Sequence, residues 1–274
     1  MGFPQSSHLQ RFFTASILIP ALFAYIFWGG PALFVLLTWA GVLLGSQEYS
    51  RLTQGRSEAP LFVFYAVLGS VALCGAFLYG LSGLLAGIEL NFLVWAVYRI
   101  VTFKDPEPFF ERSGKELFGL LYLSLFMPFF VLIRMAPQGM IWVFFLLAVN
   151  YAGDTAAYYA GRTWGRHKLA PEVSPKKTWE GSLGGLVANG LIAWIFQQTL
   201  FPHLAAIELI GLGALLGVLS QFGDLTESLI KRSAGFKDSG GLFPGHGGFL
   251  DRVDSLLLPA PLLYFYLRTW LVGS

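Results

Sequence analysis

The sequence predicts an all-α fold, a polytopic helical membrane protein with about nine transmembrane helices. Two features of the composition indicate this class: 55% of the 274 residues are hydrophobic, and only 12% are charged. Soluble domains carry about 25% charged residues. The third feature is a series of long apolar stretches, which we expect to be helical because lipid offers backbone groups no partners.

Each predicted span has roughly the length that crosses the hydrocarbon core, which takes about 20 residues and accepts about 17 to 25. The first is interpreted as a retained helix rather than a signal peptide, because no small-residue cleavage site stands out after it. The second and fourth spans are short. The spans cover residues 12–28, 31–47, 60–80, 82–98, 117–135, 138–159, 180–200, 205–223 and 253–271.

The distribution of positive charge predicts the orientation of these spans. With the N-terminus placed in the cytoplasm, 16 of the 18 Lys and Arg residues fall on cytoplasmic segments. Only Arg134 and Arg268 lie near the opposite ends of spans. This bias follows the positive-inside rule. We therefore expect a cytoplasmic N-terminus and an extracytoplasmic C-terminus.

Net charge and cysteine content exclude several functional classes. The net charge of +2 is nearly neutral and indicates no nucleic-acid partner. Cys74 is the one cysteine, which excludes an internal disulfide and any Cys-rich metal site. Neither a Walker A motif nor a G-x-G-x-x-G motif is present, so the chain is not a P-loop enzyme.

Two polar groups lie on the predicted cytoplasmic side, before the last spans. Asp154 lies at the inner end of span six, where ionisable groups are costly and tend to be functional. Alternatively, its carboxylate is paired with a neighbouring arginine such as Arg162 and has a structural role. In the segment 174–181, Ser174 or Thr178 is expected to cap span seven. Its two lysines then form an anion site with the helix N-terminus, or they bind anionic lipid headgroups. The two lysines are Lys176 and Lys177.

A third group precedes and follows a glycine-rich loop near the C-terminus. Asp224, Ser228 and Lys231 fall along one helix face if the helix continues to residue 232. The loop at 239–248 contains five glycines that allow backbone N–H groups to approach a ligand. Asp251 and Asp254 follow it.

Carboxylates at Asp224 and Asp251 provide oxygen ligands, which suit Mg²⁺. Zinc is a poor fit, because the chain has four His, one Cys and no H-x-x-x-H pair. His246 stands between glycines, where either a functional role or a structural hydrogen bond fits its position.

These residues resemble the signature of the phosphatidate cytidylyltransferase family, also called CDP-diacylglycerol synthases. The run from Ser228 to Asp254, SLIKRSAGFKDSGGLFPGHGGFLDRVD, matches that pattern over all of its 27 positions. Asp154-Thr-Ala-Ala-Tyr158, with Gly161 and Gly165, and the segment 174–181 resemble the family's second motif. Together the motifs cover about the last 45% of the chain.

The resemblance implies that CTP and phosphatidic acid give CDP-diacylglycerol and pyrophosphate in phospholipid biosynthesis, with Mg²⁺ required. It assigns the metal to Asp224 and Asp251 and allows K⁺ beside the Mg²⁺. It further implies a homodimer in the bacterial inner membrane, with a polar cavity that faces the cytoplasm. Residues 1–116 would then form about four N-terminal spans, and 117–274 a catalytic region of about five spans.

The resulting hypothesis gives the other polar residues roles around the two substrates. Cations share the phosphates, the glycine loop closes over the nucleotide, and the remaining polar groups contact substrate or lie behind the groups that do. No strong general base is needed, since the attacking phosphate is already ionised. The catalytic candidates are Asp224, Asp251, Lys231, Arg232, Lys237, Asp238 and His246, and the substrate-binding candidates are Ser174, Lys176, Lys177, Ser228, Gly247, Gly248, Arg252, Asp254 and Asp154.

Two other functional classes remain to be distinguished. An alcohol phosphotransferase that consumes CDP-diacylglycerol needs a D-G-x-x-A-R pattern, which is absent. The alternative function is an ion or lipid transporter with an acidic cation path, but acidic residues deep in the spans are then required. Glu89 and Glu208 are the only other candidates, and both fall near outer ends. The chain also shows no internal repeat of the kind that many secondary transporters carry.

Overall fold

The computed structural model describes residues 28–54, 59–104, 108–242 and 247–273. The helical prediction is confirmed for this part of the chain, which is mostly α-helix. The helices are α1 (Gly30–Gln54), α2 (Ala59–Thr102), α3 (Phe109–Ser124), α4 (Pro128–Met135), α5 (Gly139–Trp164), α6 (Trp179–Thr199), α7 (Ala206–Ser233), α8 (Leu250–Leu257) and α9 (Pro259–Gly273).

Among the described residues, five helical stretches are long and apolar enough to cross a membrane, as expected of a helical membrane protein. The total of nine spans and the orientation of the termini stay predictions. The predicted span 12–28 lies outside the described residues except for Trp28. The predicted span 253–271 is interrupted between α8 and α9. The five stretches are Gly30–Thr53, Leu61–Thr102, Phe109–Met135, Gly139–Trp164 and Ala206–Ser233.

Helix α2 is two helical arms joined at Gly80. This residue has a φ of 64° and a ψ of −144°, a conformation that a side chain would strain. The amide of Asn91 on the second arm donates to the Leu68 carbonyl on the first, at 3.0 Å, so the arms run back along each other. The break agrees with the predicted boundary between spans 60–80 and 82–98.

A short β-hairpin departs from the predicted all-α class. Strands β1 (Lys168–Ala170) and β2 (Ser174–Thr178) pair antiparallel, with Lys168 opposite Thr178. Pro171 and Glu172 lie in the turn that joins them. The periodicity of the long apolar spans carried no information about this polar segment, so the hairpin was missed.

The chain forms two compact units, and the C-terminal motif is divided between them. The first unit contains residues Met1–Met135 and Asp238–Arg252, and the second contains Ala136–Lys237 and Val253–Ser274. The domain boundary predicted at residue 116 stays a prediction. Each unit has its own core and its own set of polar contacts.

The core of the first unit is apolar but contains a buried ion pair. Leu84, Leu123 and Ile133 are fully buried. Arg99 and Glu116 are each 2% exposed, with 3.6 Å between the Arg99 Nε and a Glu116 oxygen. Trp95 donates its indole N–H to the same oxygen at 3.1 Å. Pairing of this kind is what allows charges to be buried.

The core of the second unit is rich in aromatic rings. Trp142 stacks on Phe201 with 4.1 Å between ring centroids, and Phe145 packs edge-on against Phe196. A buried polar chain crosses this unit: the Ser220 hydroxyl donates to Asn150 at 2.5 Å, and Asn150 donates to the Ser255 hydroxyl at 3.0 Å. Asn150 was not among the predicted site residues.

Candidate active site

The second strand of the hairpin carries the lysines of the second motif and leads directly into helix α6. Thr178 caps α6, and its hydroxyl accepts from the Gly181 N–H at 3.1 Å, as predicted. Ser174 begins β2 instead of capping the helix. Lys176 and Lys177 lie on β2, directly before the capped N-terminus of α6. Lys176 is exposed, and Lys177 is half-buried.

The pairing of Asp224 with Lys177 joins the two predicted motifs within the second unit. The Lys177 ammonium lies 2.7 Å from Asp224 Oδ2. The Ser228 hydroxyl donates to Asp224 Oδ1 at 3.3 Å, which agrees with their predicted shared face on α7. The side chains of Lys177 and Asp224 are 26% and 32% exposed, so solvent-borne ligands can reach the pair.

The other cations of α7 and its C-terminal loop have separate surroundings. Lys231 forms an ion pair with Glu227, one turn earlier, whose carboxylate is buried. Arg232 is exposed and donates to the Phe236 carbonyl at 3.4 Å, beyond the end of α7. Lys237 is exposed. The structure thus surrounds Lys231 with protein and leaves Arg232 and Lys237 at the surface.

Asp254 is a second buried carboxylate of this unit, in addition to Glu227. It is 8% exposed, and the Ser255 N–H donates to it at 2.7 Å. Asp254 lies in α8, outside the five candidate spans. Asp154 is exposed near the end of α5.

A second carboxylate supports the start of α6. Glu180 accepts from His167 Nδ1 at 2.6 Å and from the Arg166 N–H at 3.1 Å. The hydrogen bond from His167 is the main reason that the pKa of Glu180 falls to about 2. Glu180 therefore remains ionised at neutral pH and connects the residues before β1 to the first turn of α6.

Asp251 of the first unit is held by uncharged donors. Its Oδ2 atom accepts from the N–H of Ser239 at 3.0 Å, from the Ser239 hydroxyl at 3.0 Å and from the N–H of Gly248 at 2.8 Å. An acidic side chain that reaches back to an N–H before its own helix resembles one half of a capping box. These contacts orient the carboxylate without neutralising its charge.

Glu48 is a site residue that sequence analysis missed. It lies on α1, is 8% exposed and belongs to the same unit as Asp251. Its two oxygens accept from the Ser239 hydroxyl at 2.8 Å, the Phe249 N–H at 2.8 Å and the Leu250 N–H at 2.9 Å. The sequence contained one indication of its importance, a carboxylate directly after the apolar run 31–47. That position alone does not identify the residues it contacts.

The remaining predicted residues of the loop differ in how closely they are packed. Gly248 is buried, and a Cβ there would stand 2.4 Å from both Glu48 oxygens and from the Ser239 hydroxyl. Gly247 has a φ of 79°. Asp238 and Arg252 are exposed. The last residue, His246, lies outside the described residues.

The carboxylates fit Mg²⁺ by the chemistry of their donors. In the described part of the chain, no group of three or more His, Cys, Asp or Glu side chains could hold a metal ion. Mg²⁺ commonly uses one or two carboxylates and completes its shell with water and substrate phosphates. The described residues are therefore compatible with a Mg²⁺ ion held by one or two carboxylates and by the oxygens of a phosphate substrate. They do not form a metal centre with three or more protein ligands.

Comparison with known proteins gives matches over nearly the whole chain. The model of the cytidylyltransferase family matches residues 9–270. The chain is 36% identical to a phosphatidate cytidylyltransferase of Pseudomonas aeruginosa, over 96% of this chain and 97% of that protein. It is 32% identical to a phosphatidate cytidylyltransferase of Haemophilus influenzae, over 94% of this chain and 98% of that protein. A third, from Brucella suis, is 35% identical over 95% and 93% of the two chains.

Proposed function

The chain belongs to the cytidylyltransferase family, and from that membership we propose that it transfers the cytidylyl group of CTP to phosphatidic acid. The products are CDP-diacylglycerol, a phospholipid precursor, and pyrophosphate. The observation that carries this proposal is the near full-length match to phosphatidate cytidylyltransferases, whose signature agrees with residues 228–254. The transporter alternative has no support from these relatives.

The reaction joins two anions that repel each other, and cationic side chains of the protein can reduce that repulsion. A phosphate oxygen of phosphatidic acid attacks the α-phosphorus of CTP, and pyrophosphate leaves. Lys and Arg side chains reduce the repulsion between the substrates and stabilise charge on the leaving group. We assign this role to Lys177, Lys176, Lys231, Arg232 and Lys237. Positioning is then most of what remains for the protein to supply.

We propose that Asp224 and Asp251 supply oxygen ligands to Mg²⁺, as the family resemblance implies. When bound, Mg²⁺ would neutralise phosphate charge and favour departure of pyrophosphate. Asp224 already lies against an ammonium group, and Lys177 is thereby placed to turn to a substrate phosphate when a cation takes its place. Asp251 is oriented by Ser239 and Gly248. A K⁺ ion beside the Mg²⁺ belongs to the same proposal.

We further propose that the enzyme is a homodimer in the bacterial inner membrane, with its site open to the cytoplasm. CTP is a cytoplasmic nucleotide, whereas phosphatidic acid keeps its tails in the bilayer and its phosphate at the surface. The positive-inside bias supports this orientation. A reporter fused after Ser274 should be extracytoplasmic, and a cytoplasmic signal would contradict the nine-span topology.

The proposed activity is tested with purified protein, labelled CTP, phosphatidic acid and Mg²⁺. We expect labelled CDP-diacylglycerol and pyrophosphate in equal amounts, and no product when Mg²⁺ is removed by chelation. ATP in place of CTP, and diacylglycerol in place of phosphatidic acid, serve as negative controls. Absence of CDP-diacylglycerol from folded preparations would overturn the proposal.

A further inference from the structure

We propose that Glu48, on the first described helix, is a positioning residue for Asp251. It fixes the start of α8 and the glycine-rich loop, so that the Asp251 carboxylate keeps one orientation. This inference rests on the proposed function, since it gives Asp251 its role. It also gives the N-terminal helices a part in organising the site, whereas both sequence motifs lie in the second half of the chain.

Glu48 and Asp251 together accept hydrogen bonds from three consecutive backbone N–H groups, those of residues 248–250. The N–H of Gly248 donates to Asp251, whereas the next two, of Phe249 and Leu250, donate to Glu48. The first N–H groups of a helix have no partner within the helix. Here Glu48 satisfies the N–H of Leu250, the first residue of α8, and that of Phe249 just before it. Asp251 holds the Gly248 N–H ahead of the helix, and so the direction in which α8 begins depends on both carboxylates.

Ser239 connects the two carboxylates directly. Its hydroxyl oxygen lies 2.8 Å from a Glu48 oxygen and 3.0 Å from Asp251 Oδ2. A hydroxyl has a single proton to donate. Glu48 therefore competes with Asp251 for that proton, and a cation on Asp251 would shift the hydroxyl toward Glu48. Ser239 is 2% exposed, so water does not readily replace either contact.

The ionised form of Glu48 is what this arrangement uses. Three donors converge on its two oxygens, and the carboxylate has acceptor sites for all of them. A carboxylate is costly to bury in a membrane helix unless its hydrogen bonds are satisfied. A glutamine has one acceptor oxygen, and its NH₂ group would face an N–H or O–H donor. Glu48→Gln therefore removes contacts while changing the size of the side chain little.

Ser46→Ala is the matched control. Ser46 is fully buried on the same helix, two residues from Glu48, and its hydroxyl donates to the Val42 carbonyl of its own helix at 2.7 Å. It shares the burial and polarity of the site but has no recorded hydrogen bond to the loop. Glu48→Asp is the conservative variant, since it keeps the charge and shortens the side chain by one methylene.

The first readout is hydrogen–deuterium exchange of full-length protein in detergent, which needs no activity. In Glu48→Gln we expect the amides of residues 248–251 to exchange at least about tenfold faster, while β1 and β2 keep their rates. The second readout is catalysis: removal of a residue that orients a metal ligand typically costs about 10- to 100-fold. We expect kcat to fall by this factor and the Mg²⁺ concentration for half-maximal rate to rise by a similar one, with KM for phosphatidic acid unchanged. Glu48→Asp should recover part of both.

Unchanged exchange at 248–251 in Glu48→Gln would overturn the inference, as would an equal effect of Ser46→Ala. A loss confined to KM for the lipid would also contradict it. If wild-type protein makes no CDP-diacylglycerol, the proposed function fails, but the exchange comparison still decides the structural role of Glu48. If Glu48→Gln does not fold, Glu48→Asp decides, and loss of folding in both variants would show a general role in folding instead.

Discussion

Asp224 and Asp251 have the same side chain and the same proposed role, but their surroundings differ. Asp224 is paired with the ammonium of Lys177, at 2.7 Å, and is about one third exposed. Asp251 accepts from two backbone N–H groups and one hydroxyl, and a buried carboxylate, Glu48, holds the same loop. Asp224 belongs to the second unit of the chain and Asp251 to the first.

The difference concerns how a carboxylate is kept ready for a cation. An ammonium neutralises its partner, so a metal ion that binds Asp224 must compete with Lys177. The Ser239 and Gly248 donors that hold Asp251 in place are neutral. We infer that Asp251 is the more preorganised ligand, and that Asp224 exchanges one cation for another. Substitutions at each region should therefore have distinguishable consequences.

The largest effect is expected when either carboxylate loses its charge. Asp224→Asn and Asp251→Asn should each lower kcat about 10³-fold, since a metal ion supplies several kcal/mol of charge stabilisation and about 1.4 kcal/mol is tenfold in rate. Steady-state assays with phosphatidic acid and CTP measure the loss. Glu172→Gln, at the exposed turn of the hairpin, is the control that should keep wild-type rates. Near-normal activity of either Asn variant would remove that residue from the metal site.

Loss of the Lys177 charge should have the next largest effect and tests the proposed cation exchange at Asp224. A charge-assisted hydrogen bond contributes about 1.5–3 kcal/mol, and so Lys177→Met should lower kcat/KM for CTP about 10- to 100-fold. We also expect it to lower the Mg²⁺ concentration for half-maximal rate, because the competing ammonium is gone. Lys168→Met, exposed on β1, should change neither value. A raised Mg²⁺ requirement in Lys177→Met would contradict competition between the two cations.

A smaller effect is expected from a methyl group placed inside the Asp251 loop. In Gly248→Ala the Cβ would stand 2.4 Å from Glu48 and Ser239, so these side chains must shift. Overpacking costs about 1–3 kcal/mol, and we expect kcat to fall about tenfold. Gly241→Ala is the control in the same loop, since nothing lies within 4 Å of its Cβ position. Equal activities of the two variants would show that close packing of the loop is unimportant for turnover.

The sequence predicted features that depend on neighbouring residues, and it missed contacts between residues far apart in the chain. Apolar length predicted the helices and the break at Gly80, because these follow from neighbouring residues. The motif resemblance selected Asp224 and Asp251 but not their partners. Glu48 was missed because it contacts residues about 200 positions later, and no local pattern carries such a contact. The hairpin was missed because its strands are short and polar.

The caps of α6 and α8 also differ in range, since one is local and the other comes from a distant helix. Loss of the local cap is expected to have the smallest effect of the proposed substitutions. Thr178 caps α6 from three residues before its partner, Gly181, and this local cap was predicted, whereas Glu48 satisfies the start of α8 from a distant helix. Thr178→Ala should lower the free energy of unfolding by about 1 kcal/mol, the usual effect of losing a cap. Thermal unfolding in detergent measures it, and Thr178→Ser, which keeps the hydroxyl, is the control. We expect kcat to change less than twofold in both, because the Thr178 hydroxyl bonds to the Gly181 N–H of α6 and not to Lys177 or either aspartate. A large loss of kcat in Thr178→Ala, with stability unchanged, would instead indicate that this local cap helps position Lys177, the next residue back along the strand.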